Sequence, residues 1–168
     1  MKVSGESYNP VLCGIAVPGG TRVPMSFLLQ SAKCVYNESM LIRACMAKIH
    51  RATVTQADLN YVGSITIDED IVEKAGMRPY QMVHINNVAN GVHWETYVIA
   101  GERGSGVVCL NGPPARIFQP GDKIIILAEV YLEPSEMKDL NPVVVFVDEK
   151  NKVTKVEKHK AIPIEASR

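Results

Sequence analysis

The chain is expected to fold as a mainly β domain closed into a compact barrel. It strings many short strand-forming runs between turn signals, and only short helical patterns interrupt them. One Asn-Gly step sits between two alternating apolar runs. These features begin near Met40 and continue toward the C-terminus. The first 39 residues differ, because Pro10, Pro18, Gly19, Gly20 and Pro24 punctuate short apolar pieces that have neither a 3.6-residue nor a 2-residue period. Two parts follow: a poorly ordered N-terminal extension over 1–39, and a compact domain over 40–168. Met40 is a second candidate start.

Ile42 to Val54 mixes apolar residues with Arg43, Lys48, His50 and Arg51 and predicts a strand, ending in a turn at Thr55-Gln56-Ala57-Asp58. Tyr61 to Ile67 is rich in strand formers around a Gly63-Ser64 step, so it predicts a strand with an irregularity at Gly63. Asp68 to Ala75 has acidic residues in its first turn and Gly76 where a left-handed stop would lie, which predicts a short helix. Gln81 to Asn86 and Val92 to Ala100 flank Asn90-Gly91, the hairpin signal. Val107 to Leu110, Lys123 to Val130 and Val143 to Val147 predict further strands. Asn111-Gly112-Pro113-Pro114, Pro120-Gly121-Asp122 and a helical turn at Ser135 to Leu140 separate them.

Lys plus Arg and Asp plus Glu both total 18, so no field of one sign draws in nucleic acid or an anionic membrane. A small molecule or a protein is the better partner. The longest apolar runs, Ile124 to Ala128 and Val143 to Val147, fall far short of the roughly 20 residues a membrane-spanning helix needs. Cys13, Cys34, Cys45 and Cys109 are irregularly spaced and lack zinc-ligand patterns, so they read as reduced thiols. Met1 to Pro10 makes a poor signal peptide, and the cytoplasm is the expected compartment.

Two Gly-Ser steps occur. Gly104-Ser105 lies in the glycine-dense Gly101-Glu102-Arg103-Gly104-Ser105-Gly106 and predicts a tight loop, whereas Gly63-Ser64 lies in a β-rich run. Around the Gly63-Ser64 step stand Lys48-Ile49-His50-Arg51-Ala52-Thr53-Val54-Thr55, Ala57-Asp58-Leu59, Tyr61-Val62-Gly63-Ser64 and Ile67-Asp68. Further on come Asn90-Gly91, Thr96-Tyr97, Glu102-Arg103-Gly104-Ser105, Leu110-Asn111-Gly112 and Gly121-Asp122. In this order they resemble the pyruvoyl-dependent aspartate 1-decarboxylases, from about Met40 to Lys160-Ala161-Ile162-Pro163.

The resemblance implies a six-stranded double-psi β barrel with short helices, assembled as a homotetramer with active sites at subunit boundaries. It also implies a zymogen that cuts itself between Gly63 and Ser64. The Ser64 hydroxyl attacks the Gly63 carbonyl to form an ester, β-elimination leaves dehydroalanine, and hydrolysis leaves a pyruvoyl group capping the new chain. Glycine before the serine allows strained backbone and leaves the carbonyl unshielded. The developing oxyanion needs a donor, a role the resemblance gives to Thr96. In the mature enzyme the pyruvoyl group from Ser64 would hold the substrate as a Schiff base, with no metal, and Tyr97 would be the proton donor. The implied reaction converts L-aspartate to β-alanine and CO2, a step of pantothenate biosynthesis.

Lys48, Thr96, His93, Gly112, Pro113 and Pro114 fall at substrate-site positions of that pattern. His50 shares a strand face with Lys48 and favours a structural, hydrogen-bonded histidine. Two departures stand out. Pro113 and Pro114 replace residues that keep backbone donors, so contact through Gly112 survives better. His93 stands where the family has an arginine gripping a substrate carboxylate. Histidine, with a reference pKa of about 6.5, is largely neutral at pH 7 unless its surroundings raise that value, and it lacks the bidentate fork. Aspartate is therefore expected to bind weakly, or the preferred amino acid to lack a second carboxylate. The remaining alternative is a non-enzymatic barrel module that never processes. A maturation factor is a further candidate partner.

Overall fold

The computed structural model describes residues 40–160. The extension expected over 1–39, Cys13, Cys34 and the C-terminal Ala161-Ile162-Pro163 lie outside the described residues. The fold is mainly β. Its strands are β1 (Ile42–Thr53), β2 (Gln56–Asp58), β3 (Ser64–Asp68), β4 (Met82–Asn87), β5 (His93–Gly101), β6 (Val108–Asn111), β7 (Lys123–Leu132), β8 (Val143–Val147) and β9 (Val153–Lys158). One α-helix, α1 (Glu69–Ala75), and 3-10 turns at Pro113–Arg116 and Met137–Asp139 complete the described elements. No helix among the described residues is long and apolar enough to cross a membrane.

The strands form one mixed sheet in the order β2-β6-β3-β5-β4-β7-β1-β8-β9. The β2/β6, β3/β5 and β1/β8 pairs are parallel and the others antiparallel. Period-2 alternation explains which side is buried: Ile124, Ile126 and Ala128 of β7, Val83 and Ile85 of β4, and Val98 of β5 are all fully enclosed. On β1 the alternation slips twice, between Cys45 and Ala47 and between Ile49 and Ala52, where the pairing with β7 gains a residue. Arg51, at φ 60°, absorbs the second extra residue. These bulges keep Ala47, Ile49 and Ala52 in the core and turn Arg43, Cys45, Lys48 and His50 to the opposite face.

The strand, hairpin and helix expectations hold over most of their lengths, and three details need correction. Gln56–Asp58, expected as a turn, is a strand parallel to β6. Tyr61 to Gly63, expected to begin a strand, is loop. The cause is topological: Asp58 and Ser64 both pair with Asn111, one on each side of β6. Residues 59–63 must cross over β6 and reverse direction, leaving no length for strand. The third is β9, an exposed charged strand whose alternation was too weak to recognise.

Asp68 ties the helix to the glycine-dense loop. As N-cap of α1 it accepts from Asp70 N at 2.9 Å, and it also takes the amides of Gly104 (2.9 Å) and Gly106 (2.6 Å). Burial alone would raise its carboxyl, but the backbone donors of Gly106, Gly104 and Asp70, with the Lys152 charge, hold it below the usual carboxylate range. A depressed folded value means stability that is present at neutral pH and lost as pH falls through the acid range. Asp68→Asn retains one oxygen but turns an N–H toward a donor, so it is expected to cost about 2–3 kcal/mol at pH 7. That gap should narrow in urea titrations below about pH 4. An unchanged gap at pH 3 would show that charge contributes nothing there.

Candidate active site

Ser64 opens β3 and is completely enclosed. Its Oγ accepts a hydrogen bond from Asn111 Nδ2 at 2.8 Å, and the second Nδ2 hydrogen goes to Thr66 Oγ1 at 2.9 Å. Asn111 Oδ1 in turn accepts from the Cys109 thiol at 3.1 Å. Burial pushes that thiol up, with the Asp58 charge adding to the effect against a backbone bond from Asp58 that lowers it. Cys109 is thus kept as the S–H donor. All polar atoms of the Asn111 amide are used, which fixes its orientation and leaves Ser64 as acceptor with its own proton free to leave. Asn111 is the Ser64 partner that sequence reasoning did not single out as a site residue, although it lies in the matched Leu110-Asn111-Gly112 motif.

Gly112 presses against the Gly63-Ser64 step. Its φ of 74° and ψ of −137° suit glycine. A Cβ there would approach Gly63 Cα to 2.9 Å and Tyr61 O to 3.2 Å. Gly112 N donates to Asp58 O at 2.7 Å, so the amide expected to remain free for substrate is already committed. Pro113 and Pro114 begin the 3-10 turn, where missing N–H groups leave nothing unsatisfied. Pro113 Cδ lies 3.6 Å from where a Gly63 Cβ would stand. Gly63, Ser64, Asn111, Gly112 and Pro113 therefore form one packed group.

Strand β5 lies beside β3, with Ile65 paired to Val98 in parallel. Extending that register back by one residue sets Tyr97 level with Ser64, with Thr96 preceding it on β5. Thr96 is buried on the core side, and Tyr97 lies half-buried on the outer side. The Tyr97 ring stacks on Tyr80, with centroids 6.0 Å apart and planes at 25°. Among the described residues, no hydrogen bond joins Thr96, Tyr97, His93 or Lys48 to Ser64.

Lys48 and His93 share the outer sheet face with Tyr97, and among the described residues neither is hydrogen-bonded to the Ser64 group. Lys48 is on β1, four strand steps from β3. His93 sits in a polar chain. Its Nδ1 faces Asn86 Oδ1 at 3.0 Å, its Nε2 faces His84 Nδ1 at 3.2 Å, and His84 Nε2 faces Glu129 Oε2 at 3.0 Å. Arg43 closes the chain on Glu129 at 2.6 Å. His93 is thus held between Asn86 and His84, with both ring nitrogens occupied. His50 departs from expectation: its Nδ1 is buried without a hydrogen-bond partner, and the ring meets Phe146 edge-on at 5.4 Å. Burial, then the Lys48 and Arg51 charges, hold it below the ordinary histidine range.

These features fall inside the region that the chain shares with known proteins. A family profile described as aspartate decarboxylase matches residues 40–154. The aspartate 1-decarboxylase of Caldicellulosiruptor saccharolyticus is 56% identical over 117 residues, covering 70% of this chain and 91% of its own length. That of Lactiplantibacillus plantarum is 56% identical over 123 residues, covering 71% and 95%. That of Leptospira biflexa is 51% identical over 117 residues, covering 69% and 99%. A profile spanning most of the chain, and relatives of this identity matched almost end to end, leave one assignment: the chain belongs to the aspartate decarboxylase family.

Proposed function

We propose that the chain decarboxylates L-aspartate to β-alanine and CO2, using a pyruvoyl group that it makes from its own Ser64. Family membership makes it a pyruvoyl-dependent carboxy-lyase. The observation that carries Ser64 is its enclosed hydroxyl, held by Asn111 directly after a glycine. Self-cleavage begins when Ser64 Oγ attacks the Gly63 carbonyl carbon. The C–N bond becomes C–O, and the serine nitrogen takes the hydroxyl's proton. Thr96, buried on β5 next to Tyr97, is the donor for the oxyanion. Close packing by Gly112 and Pro113 holds the carbonyl in place.

Once formed, the pyruvoyl group supplies a carbonyl that draws off the electron pair freed by loss of the α-carboxylate. Tyr97 returns a proton to the α-carbon. Lys48 supplies a permanent cation for the substrate's carboxylates, and Gly112, Pro113 and Pro114 wall the site by shape. The weak-aspartate or altered-substrate alternative drawn from His93 finds no support among relatives named for aspartate. His93 offers a ring nitrogen held by Asn86 as a polar contact for the substrate.

The proposed assembly is a homotetramer with sites at subunit boundaries, where one copy's Lys48 serves another's Ser64. The parallel pairs within a largely antiparallel sheet support a six-stranded double-psi barrel over the compact domain, with 1–39 as an extension. The cytoplasm is the proposed compartment, and a maturation factor is a candidate helper. The test is intact mass and CO2 release. Purified protein should contain chains 1–63 and 64–168, the second blocked to Edman sequencing, and should release CO2 from L-aspartate. A full-length chain that persists on prolonged incubation, with candidate helper proteins added, would overturn the proposal.

A further inference from the structure

We infer that Tyr80 is a positioning residue for decarboxylation, holding the Tyr97 ring in the pose from which its hydroxyl protonates the product carbon; this rests on the reading of Tyr97 as proton donor. Tyr80 lies in the turn between α1 and β4 with φ 66°, a left-handed conformation that bulky side chains rarely adopt. It is 79% exposed in the single chain, so burial within the chain gives little reason for an aromatic residue there. Asparagine or glycine would suit the backbone better. What the tyrosine adds is its ring, stacked on Tyr97.

The turn is built to hold that ring still. Tyr80 N donates to Val98 O at 2.7 Å, and Val98 N donates to Gln81 O at 3.0 Å, so two backbone bonds clamp the turn onto β5 beside Tyr97. The turn also closes on itself: Arg78 N donates to Gln81 Oε1 and Gln81 N to Arg78 O, each at 3.1 Å. Tyr97 pairs with Met82 across the β4/β5 ladder, which fixes its backbone. No hydrogen bond among the described residues fixes its hydroxyl, and the Tyr80 ring lies stacked on it. A strained residue kept at an exposed site and clamped beside a reacting group marks function rather than stability.

The experiment replaces the ring without disturbing the turn. Tyr80→Asn suits the same φ and should cleave fully at Gly63-Ser64, melt as the wild type does and keep the wild-type KM for aspartate. Its kcat should fall about tenfold, because a misplaced donor loses rate rather than binding. Tyr80→Gly is a second ringless variant with the same expectation. Tyr80→Phe should restore kcat to within about twofold, since it keeps the stacked face. In a Tyr97→Phe background Tyr80→Asn should cost nothing more, as expected of residues acting through one group.

Wild-type kcat in both ringless variants would overturn the inference. So would a Phe variant as slow as Asn, or losses that multiply in the double variant. Tyr97→Phe assayed alone separates the two readings. If it keeps full turnover, the donor assignment falls; if it loses turnover while Tyr80→Asn does not, only the role of Tyr80 falls.

Discussion

Ser64→Ala is expected to leave the chain in one piece and to abolish aspartate decarboxylation. Alanine has no oxygen to attack Gly63, and without cleavage no pyruvoyl group forms. The substitution is also structurally mild, which makes the result interpretable. Ser64 contributes one small hydroxyl to the buried network, and its removal leaves Asn111 Nδ2 bound to Thr66 and Asn111 Oδ1 bound to Cys109. One amide hydrogen loses its partner, at a cost of about 1–3 kcal/mol. The variant should therefore fold and migrate as a single band on a denaturing gel. Its intact mass should equal that of residues 1–168 with one oxygen fewer. Two fragments in that variant, or measurable CO2 release from it, would remove Ser64 from the mechanism.

How much of this was legible in the sequence depends on whether a signal was local. The α1 helix was readable at both ends, because Asp68 caps it and Gly76 stops it in the left-handed conformation at φ 68°. The core strands β1, β4, β5 and β7 were readable because their alternation faces one buried side. What escaped depends on partners distant in sequence. Gln56–Asp58 has turn composition, yet its pairing with Cys109 to Asn111 makes it a strand. The loop before Ser64 is set by the crossing over β6, which no local propensity encodes.

The site divides in the same way. Gly63 and Ser64 stood out by motif, and so did Thr96 and Tyr97. The role of Asn111 appears only when β6 is laid beside β3 and its side chain reaches Ser64 Oγ. His93 could be recognised as a departure, but not as one end of a chain through His84, Glu129 and Arg43, which come from three other strands. The commitment of Gly112 N to Asp58 O was equally invisible, since it spans a β-strand pair rather than a turn.

Tyr97→Phe is expected to separate maturation from turnover. The phenol ring, with its stack against Tyr80, survives the substitution, so the fold and the outer face of β5 should be unchanged. No hydrogen bond among the described residues links Tyr97 to Ser64 or Asn111, so cleavage at Gly63-Ser64 should go to completion. The hydroxyl is the only group lost, and with it the proton returned to the α-carbon. A positioned general acid is worth about 10²- to 10⁴-fold, equivalent to roughly 3–5 kcal/mol of activation free energy. That loss should appear in kcat with KM for aspartate little changed, because the donor acts after the substrate is bound. The measurement is steady-state CO2 release by variant protein whose complete cleavage has first been confirmed by intact mass. Wild-type kcat in the cleaved variant would dismiss Tyr97 as donor. An uncleaved variant would instead place the Tyr97 hydroxyl in the processing reaction, where its level position beside Ser64 would then find its use.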